Sequence, residues 1–510
     1  MIRKMMIALA LCVPSAATAE WHEASSRHFV VYSEDSPDKV KAFTESLERY
    51  DKALRVLRSV PDGITPPARR VTIYLVDDVG DIRRLAGKGA KDVAGFYIPR
   101  AEGSVAFVPR NTGGIISART ILLHEYAHDF MLTNWAGAAF PVWFVEGFAE
   151  FHSTAIFRED GAVIFGASPE HRRFSIGNAA GLPVKQLLKA KIPDLDREQV
   201  GILYARGWLL THYLTFDPDR RKQLAAYIGA INAGKSSDDA AAAFPGLDDM
   251  ALNAYGKRPR LPSSLIPADQ LDVGEISMRA LGHGEAAVMS ARILSQRGVD
   301  KDTAPGVAEL ARKLAAPFPN DPFAQAELAE AEFDAGNYEA AEAAADRALA
   351  ANPKHMNALI YKGMILGGRA KASGDAALWK EARRWYLAAN KLDPEDPEPL
   401  VRYYESFVGE GAVPTKNAVD ALLYAHALAP QDLNLRMTAG QVLLERGDAA
   451  AARAAISPVA YAAHGGGSAS PAQKILTALD ADGPEKALEV LKGLEEEAKK
   501  EAEAAEKRAS

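Results

Sequence analysis

Ile115-Ile-Ser-Ala-Arg-Thr-Ile-Leu-Leu-His124-Glu125-Tyr-Ala-His128-Asp-Phe-Met-Leu132 carries two histidines four residues apart, with a glutamate directly after the first. The stretch is apolar around them, and no Gly or Pro interrupts it before Gly137, so it reads as a buried helix. Residues four apart on a helix lie about 40° apart around the axis and about 6 Å along it, so both imidazoles project from one face. Two imidazoles so placed can grip one metal ion. Zinc suits them, because a catalytic zinc needs three protein ligands and leaves its fourth position to water. Glu125 is placed to take a proton from that water as general base. The alternative is a structural helix whose histidines are satisfied by hydrogen bonds. A buried helix with two histidines and a glutamate needs partners for them in either case.

Downstream runs Phe140-Pro-Val-Trp-Phe-Val-Glu146-Gly-Phe-Ala-Glu150-Phe-His152, with Pro141 placed to open a second helix. Glu146 follows His128 by 18 positions and Glu150 lies one helical turn further on. Either carboxylate could complete a three-ligand site.

With these two helices the chain resembles the gluzincin metallopeptidases, the group of aminopeptidase N and thermolysin, and most closely the bacterial peptidase MA-like proteins. The resemblance covers Phe29 to about Tyr255 and is specific at the two helices. It implies a zinc ion held by His124, His128 and Glu146, with Glu125 as catalytic base. Glu150 then looks like the carboxylate that orients a ligating histidine through its free ring nitrogen. The family also supplies a Tyr or His from a later helix to the oxyanion of the tetrahedral intermediate. That helix looks like Gln199 to Leu214, with Tyr204 at the matching position and His212 and Tyr213 as alternatives. In the family the strand before the metal helix is the sheet edge that pairs with substrate, which points to Ser104–Val108.

The rest of the first half alternates strands and helices. His28–Ser33 and Arg70–Val76 read as strands, a long amphipathic helix opens at Ser36-Pro37-Asp38, and Val93–Ile98 with Ser104–Pro109 reads as a hairpin. A second hairpin turns at Asp160-Gly161. Lys257-Arg-Pro-Arg-Leu-Pro-Ser-Ser-Leu-Ile-Pro267 reads as a linker. Met1–Ala19 has a basic start, a short apolar run and Ala17-Thr-Ala19, the pattern of a secretory signal peptide. Cys12, the single cysteine, would leave with it, so no disulfide is expected. No apolar run reaches the roughly 18 residues of a membrane span. A net charge of −7 argues against a nucleic-acid partner, which needs a concentrated basic face.

From about Asp272 the chain turns into Ala-rich helices. Pro319, Pro353, Pro394 and Pro430 mark repeat ends, spaced by 34, 41 and 36 residues by subtraction. Thirty-four is the tetratricopeptide (TPR) period. Ala329, Gly336, Ala341 and Ala348 fall where that repeat wants small residues, and Ala382, Tyr386 and Ala389, then Gly440, Gly447 and Ala452, repeat the pattern. Such helix pairs stack into a curved array whose concave face commonly holds a partner. His464-Gly-Gly-Gly-Ser-Ala-Ser-Pro471 reads as a flexible joint, and Pro484–Ser510 as a charged, solvated terminal helix.

The expected fold is therefore an α+β zincin-like metallopeptidase domain followed by an all-α TPR superhelical array. Its expected parts are a signal peptide at 1–19, a peptidase domain at 20–256, a linker at 257–271, repeats at 272–464, and the joint and terminal helix at 465–510. The expected function is an exported, periplasmic or extracellular zinc metallopeptidase acting on a peptide or protein substrate. No signature for anchoring a free amino terminus precedes His124, which points to an endopeptidase. The alternative is a non-catalytic or autoinhibited envelope scaffold whose array binds a protein partner. Intact Glu125 favours the enzyme, since the base adds nothing to folding.

Overall fold

The computed structural model describes residues 20–63, 65–87, 93–111, 117–172, 175–176, 181–462 and 469–509. The expected signal peptide and residues 464–468 of the expected joint lie outside the described residues.

Six strands form the main sheet: β1 (His22–Ser25), β2 (Phe29–Ser33), β3 (Val71–Asp78), β4 (Phe96–Ile98), β5 (Val105–Asn111) and a late strand, Ser277–Ala280, in the order β4-β5-β3-β2-β1 and then the late strand. β2, β3 and β5 run parallel, while β1 and β4 are antiparallel to their neighbours. Side chains alternate across the sheet and both faces are buried. Val71, Ile73 and Leu75 of β3 face one cluster with α1 (Pro37–Arg58), whereas Tyr74 and Val76 face another. Covering both faces is what lets parallel strands read as nearly continuous apolar runs.

Two expectations need correction here. Ser104–Val108 was expected at the sheet edge, yet β5 lies between β3 and β4, and the edge strand is β4. Pro109 is tolerated because β4 pairs only with residues 105–107, so Pro109 has a strand on one side alone. The stretch expected as a linker at 257–271 also carries structure. Its Ser264–Ile266 forms β8, antiparallel to β7 (Val163–Phe165), which pairs in turn with β6 (Ile156–Phe157). The late strand Ser277–Ala280 is β9, paired antiparallel to β1, so residues expected to open the repeats belong to the main sheet. Pro and Ser content made this stretch look like a linker, but Ile266 is buried and backbone pairing with distant strands organises it.

Helix α2 (Val79–Ala86) follows β3, helices α3 (Ala118–Asn134) and α4 (Val142–Ser153) follow β5, and α5 (Arg197–Phe216) crosses α4. The chain then becomes a series of antiparallel helix pairs. α6 (Pro322–Asp334) packs on α7 (Tyr338–Ala351), and α8 (Met356–Ser373) on α9 (Ala376–Leu392). Ala329, Ala341 and Ala348 are fully buried, and Gly336 takes a left-handed φ of 76° in the turn between α6 and α7. Small residues at those positions let the two helices approach closely. α10 (Pro397–Gly409), α11 (Lys416–Leu428), α12 (Leu433–Glu445) and α13 (Ala449–Ala460) continue the array. A final helix, Pro484–Ala509, buries Ala487 and Leu491 against Leu444 and Leu476, so its first half caps the array. Among the described residues no helix is long and apolar enough to cross a membrane.

The array is docked on the sheet half. The turn between β4 and β5 inserts into it: Ala101 packs with Leu400, Leu422 and Leu435, and its N–H donates to Asp432 at 2.9 Å. Arg436 donates to the Ala136 carbonyl at 3.0 Å, in the connection between α3 and α4.

Candidate metal centre

Ser117 caps α3, accepting the Thr120 N–H at 3.1 Å, which satisfies one of the free donors of the first turn. Along α3, Leu122, Leu123, Ala127 and Phe130 are buried, and Tyr50 fixes the helix by donating its hydroxyl to the Leu123 carbonyl at 3.0 Å. This leaves the His124 and His128 side of the helix facing α4. The two Nε2 atoms stand 3.2 Å apart. Glu146, fully buried on α4, brings one oxygen to 3.4 Å from His124 Nε2 and the other to 3.6 Å from His128 Nε2.

These separations allow a test of fit. Zinc–ligand bonds of about 2.0–2.1 Å in a tetrahedron put neighbouring ligand atoms roughly 3.3 Å apart. The 3.2 Å between the two imidazoles and the 3.4 Å from His124 Nε2 to one Glu146 oxygen match that spacing, and the other Glu146 oxygen lies 3.6 Å from His128 Nε2, so the three residues converge on one point. Two imidazoles and one carboxylate are also a donor set zinc takes, with one position left over. Among the described residues this trio is the group of three that could hold a metal ion.

Surrounding groups fix the trio. Glu150, expected to orient a histidine, is buried on α4 with an oxygen 3.8 Å from His124 Nδ1, which leaves Nε2 as the nitrogen turned to the site. Two further residues hold Glu150. His171 donates at 3.1 Å and Arg172 at 2.6 and 3.1 Å. Burial works against the Glu150 charge, but His171, His124 and Arg172 outweigh it and hold its pKa down to about 2. Burial likewise opposes a charge on His124, while Glu146, Glu150 and Glu125 push its pKa up to about 9. A field that favours an imidazolium there favours any cation.

Tyr204 on α5 stacks on the His124 ring, with centroids 6.0 Å apart and planes 11° apart, and its hydroxyl lies in the field of Glu146. Burial first, then Glu146, push the Tyr204 hydroxyl pKa far up, so it stays a proton donor. The Arg172 guanidinium lies 4.9 Å from the centre of the Tyr204 ring. The alternatives His212 and Tyr213 are elsewhere. His212 is buried between the Tyr255 hydroxyl at 2.8 Å and the Gly166 carbonyl at 3.3 Å, and Tyr213 stacks on Tyr255.

Glu125 and His128 line a cavity of about 210 Å³, along with Asp129 and Tyr97. Tyr97 of β4 donates to Asp129 at 2.6 Å, and burial, against that hydrogen bond, raises the Asp129 pKa to about 6.

His171, Arg172 and Tyr97 were not singled out in the sequence. His171-Arg172 follows Pro169-Glu170 in a stretch with no helical or strand period, and only the fold brings it under α4. A fully buried glutamate needs a charged partner, so Glu150 was the one hint that such residues existed.

Residues 322–365 match the tetratricopeptide repeat family. They span α6, α7 and the start of α8. No curated protein matches the chain. Among solved structures, the crystal structure of TTC0263, a thermophilic TPR protein in Thermus thermophilus, is 15% identical over 38% of this chain and 99% of that one, with a TM-score of 0.32. MamA 41-end from Desulfovibrio magneticus RS-1 is 20% identical over 34% of this chain and 92% of its own, with a TM-score of 0.26. Residues 322–365 thus carry a tetratricopeptide repeat, and the stacked helix pairs around them form a TPR-like array, a repeat type used for protein–protein contact.

Proposed function

We propose that the sheet half of the chain is an exported zinc-dependent metallopeptidase of gluzincin type, acting on peptide bonds beside its TPR array. The observation that carries this reading is the convergence of His124, His128 and Glu146, three residues from two helices whose ligand atoms gather within 4.8 Å of one another. His124, His128 and Glu146 would hold the ion. When bound, zinc acts as a Lewis acid on a carbonyl and lowers the pKa of a water molecule.

Each nearby residue then has a task. Glu125 faces the cavity beside His128, where it accepts the proton of the attacking water and returns it to the leaving amine. Glu150, clamped by His171 and Arg172, keeps the His124 ring in one orientation. Tyr204, stacked on the His124 ring beside Glu146, would donate its hydroxyl to the oxyanion of the substrate.

The test is metal content and peptide-library cleavage of the purified protein beside Glu125→Gln. About one zinc in both forms with cleavage by the Glu125 form alone supports the reading. Absence of zinc from both forms sinks it. A second reading, a scaffold without turnover, draws on the repeat match at 322–365. Zinc in both forms with no cleavage by either favours that scaffold.

A further inference from the structure

The cavity beside Glu125 and His128 has two walls from distant parts of the chain. Met131 of α3, Phe140 of the α3–α4 connection and Val145 of α4 form one, and Leu433, Pro458 and Tyr461 of the array form the other. Most of this lining is apolar. An apolar cavity of about 150 Å³ accepts benzene, so about 210 Å³ accommodates a leucine, methionine or phenylalanine side chain.

The array wall is held in place by contacts to the elements that carry the metal trio. Arg436, on the same helix as Leu433, donates to the Ala136 carbonyl between α3 and α4. Arg453, on the same helix as Pro458, reaches the Asn232 carbonyl at 3.4 Å, and Asn232 itself exchanges hydrogen bonds with Ala139 at 2.7 and 3.0 Å. The array also grips the turn beyond the edge strand β4 through Ala101 and Asp432, and Tyr97 of β4 faces the cavity.

Resting on the peptidase reading above, we infer that this cavity is a specificity pocket for one bulky apolar side chain of the bound peptide, and that the TPR array builds its outer wall. The array is then half of the substrate site and not only an arm for partners. An acidic side chain is refused, because Glu125 and Asp129 line the same space.

The test uses the full zinc-loaded chain and four hydroxamates that differ in side chain, with affinities measured by calorimetry. Acetohydroxamate has no side chain to place, and the others carry isobutyl, benzyl or carboxymethyl groups. The isobutyl and benzyl compounds are expected to bind on the order of ten- to a hundredfold more tightly than acetohydroxamate, the range for burying one such side chain. The carboxymethyl compound should gain nothing. Ala462→Phe, which fills the pocket from the array side, should abolish the preference and leave acetohydroxamate affinity and zinc content unchanged. Leu433→Ala should shift the preference from isobutyl toward benzyl. Equal binding of all four compounds, or variants that discriminate as the parent does, would overturn the inference while the metal centre stands. Failure of acetohydroxamate to bind, with no zinc in the protein, would overturn the peptidase reading and this inference together.

Discussion

Gly147 on α4 and Gly207 on α5 meet backbone to backbone: a Cβ on Gly147 would lie 2.3 Å from the Gly207 carbonyl oxygen. This crossing sets the distance between Glu146 on one helix and Tyr204 on the other, so packing and site geometry depend on the same two glycines.

Gly147→Ala must therefore push the helices apart, and backbone offers no rotamer to relieve the clash. Overpacking of this kind costs about 1–3 kcal/mol or more, and it displaces Glu146 from its two histidines. Urea unfolding and zinc titration should both move. Gly229→Ala is the control, because that helical glycine is exposed with nothing within 4 Å of an added Cβ. It should be neutral or stabilise by up to about 1 kcal/mol. Equal behaviour of the two variants would remove the helix crossing from the account.

Arg172→Ala takes two hydrogen bonds from buried Glu150 and the cation from the Tyr204 ring. It touches none of the three proposed ligands. Loss of partners behind a metal ligand typically weakens metal binding about 10–100-fold, and that is the expected result in a chelator competition assay. Unchanged zinc affinity would show that His171 alone holds Glu150.

The sequence made some of this legible and hid the rest for physical reasons. His124 and His128 could be paired because a helix fixes the relation of residues four apart. Ala329, Ala341 and Ala348 could be placed because a repeat imposes a period. Glu150 could be marked but not its partners, since His171 and Arg172 lie 21 and 22 residues away across a non-periodic stretch. The sheet position of Ser104–Val108 is not legible in the sequence, nor are β8 and β9, because pairing is decided by strands far off in sequence. The pocket wall is the extreme case, joining Met131 to Leu433 and Pro458.

Stability of the array should depend on pH through Asp396, which caps α10 and accepts the Glu398 N–H at 3.0 Å. Burial raises its pKa to about 6, opposed by that hydrogen bond and assisted by Asp393. The folded state thus holds the proton more tightly than the unfolded chain, whose carboxyl titrates near 4. Its stabilising contribution is complete below about pH 4 and lost as pH rises through about 6. Asp396→Asn keeps an oxygen for the cap and cannot ionise. It should match the parent at pH 4 and exceed it at pH 7.5 by on the order of 2 kcal/mol. The Glu398 carboxyl, also raised by burial and by the Asp396 charge, should gain from the change in the same direction. Urea midpoints at the two pH values read the effect, and a parallel offset at both would refute it.

Docking of the array rests on Ala101, which is buried among Leu400, Leu422 and Leu435. Ala101→Glu would set a carboxylate in that apolar cluster, where Glu102 and Glu398 already bear on each other. An isolated buried charge costs several kcal/mol, more than one hydrogen bond returns. The array should therefore leave the β4–β5 turn, which small-angle scattering reads as a larger radius of gyration. Ala101→Ser is the milder companion: its hydroxyl is small and neutral, so the radius should hold and the melting temperature fall only slightly. If the pocket wall comes from the array, the glutamate variant should also lose its preference for the benzyl hydroxamate while acetohydroxamate still binds. A glutamate variant with unchanged radius and melting temperature would mean that Ala101 does not secure the two halves, and Arg436 with its bond to Ala136 would then be the contact to cut.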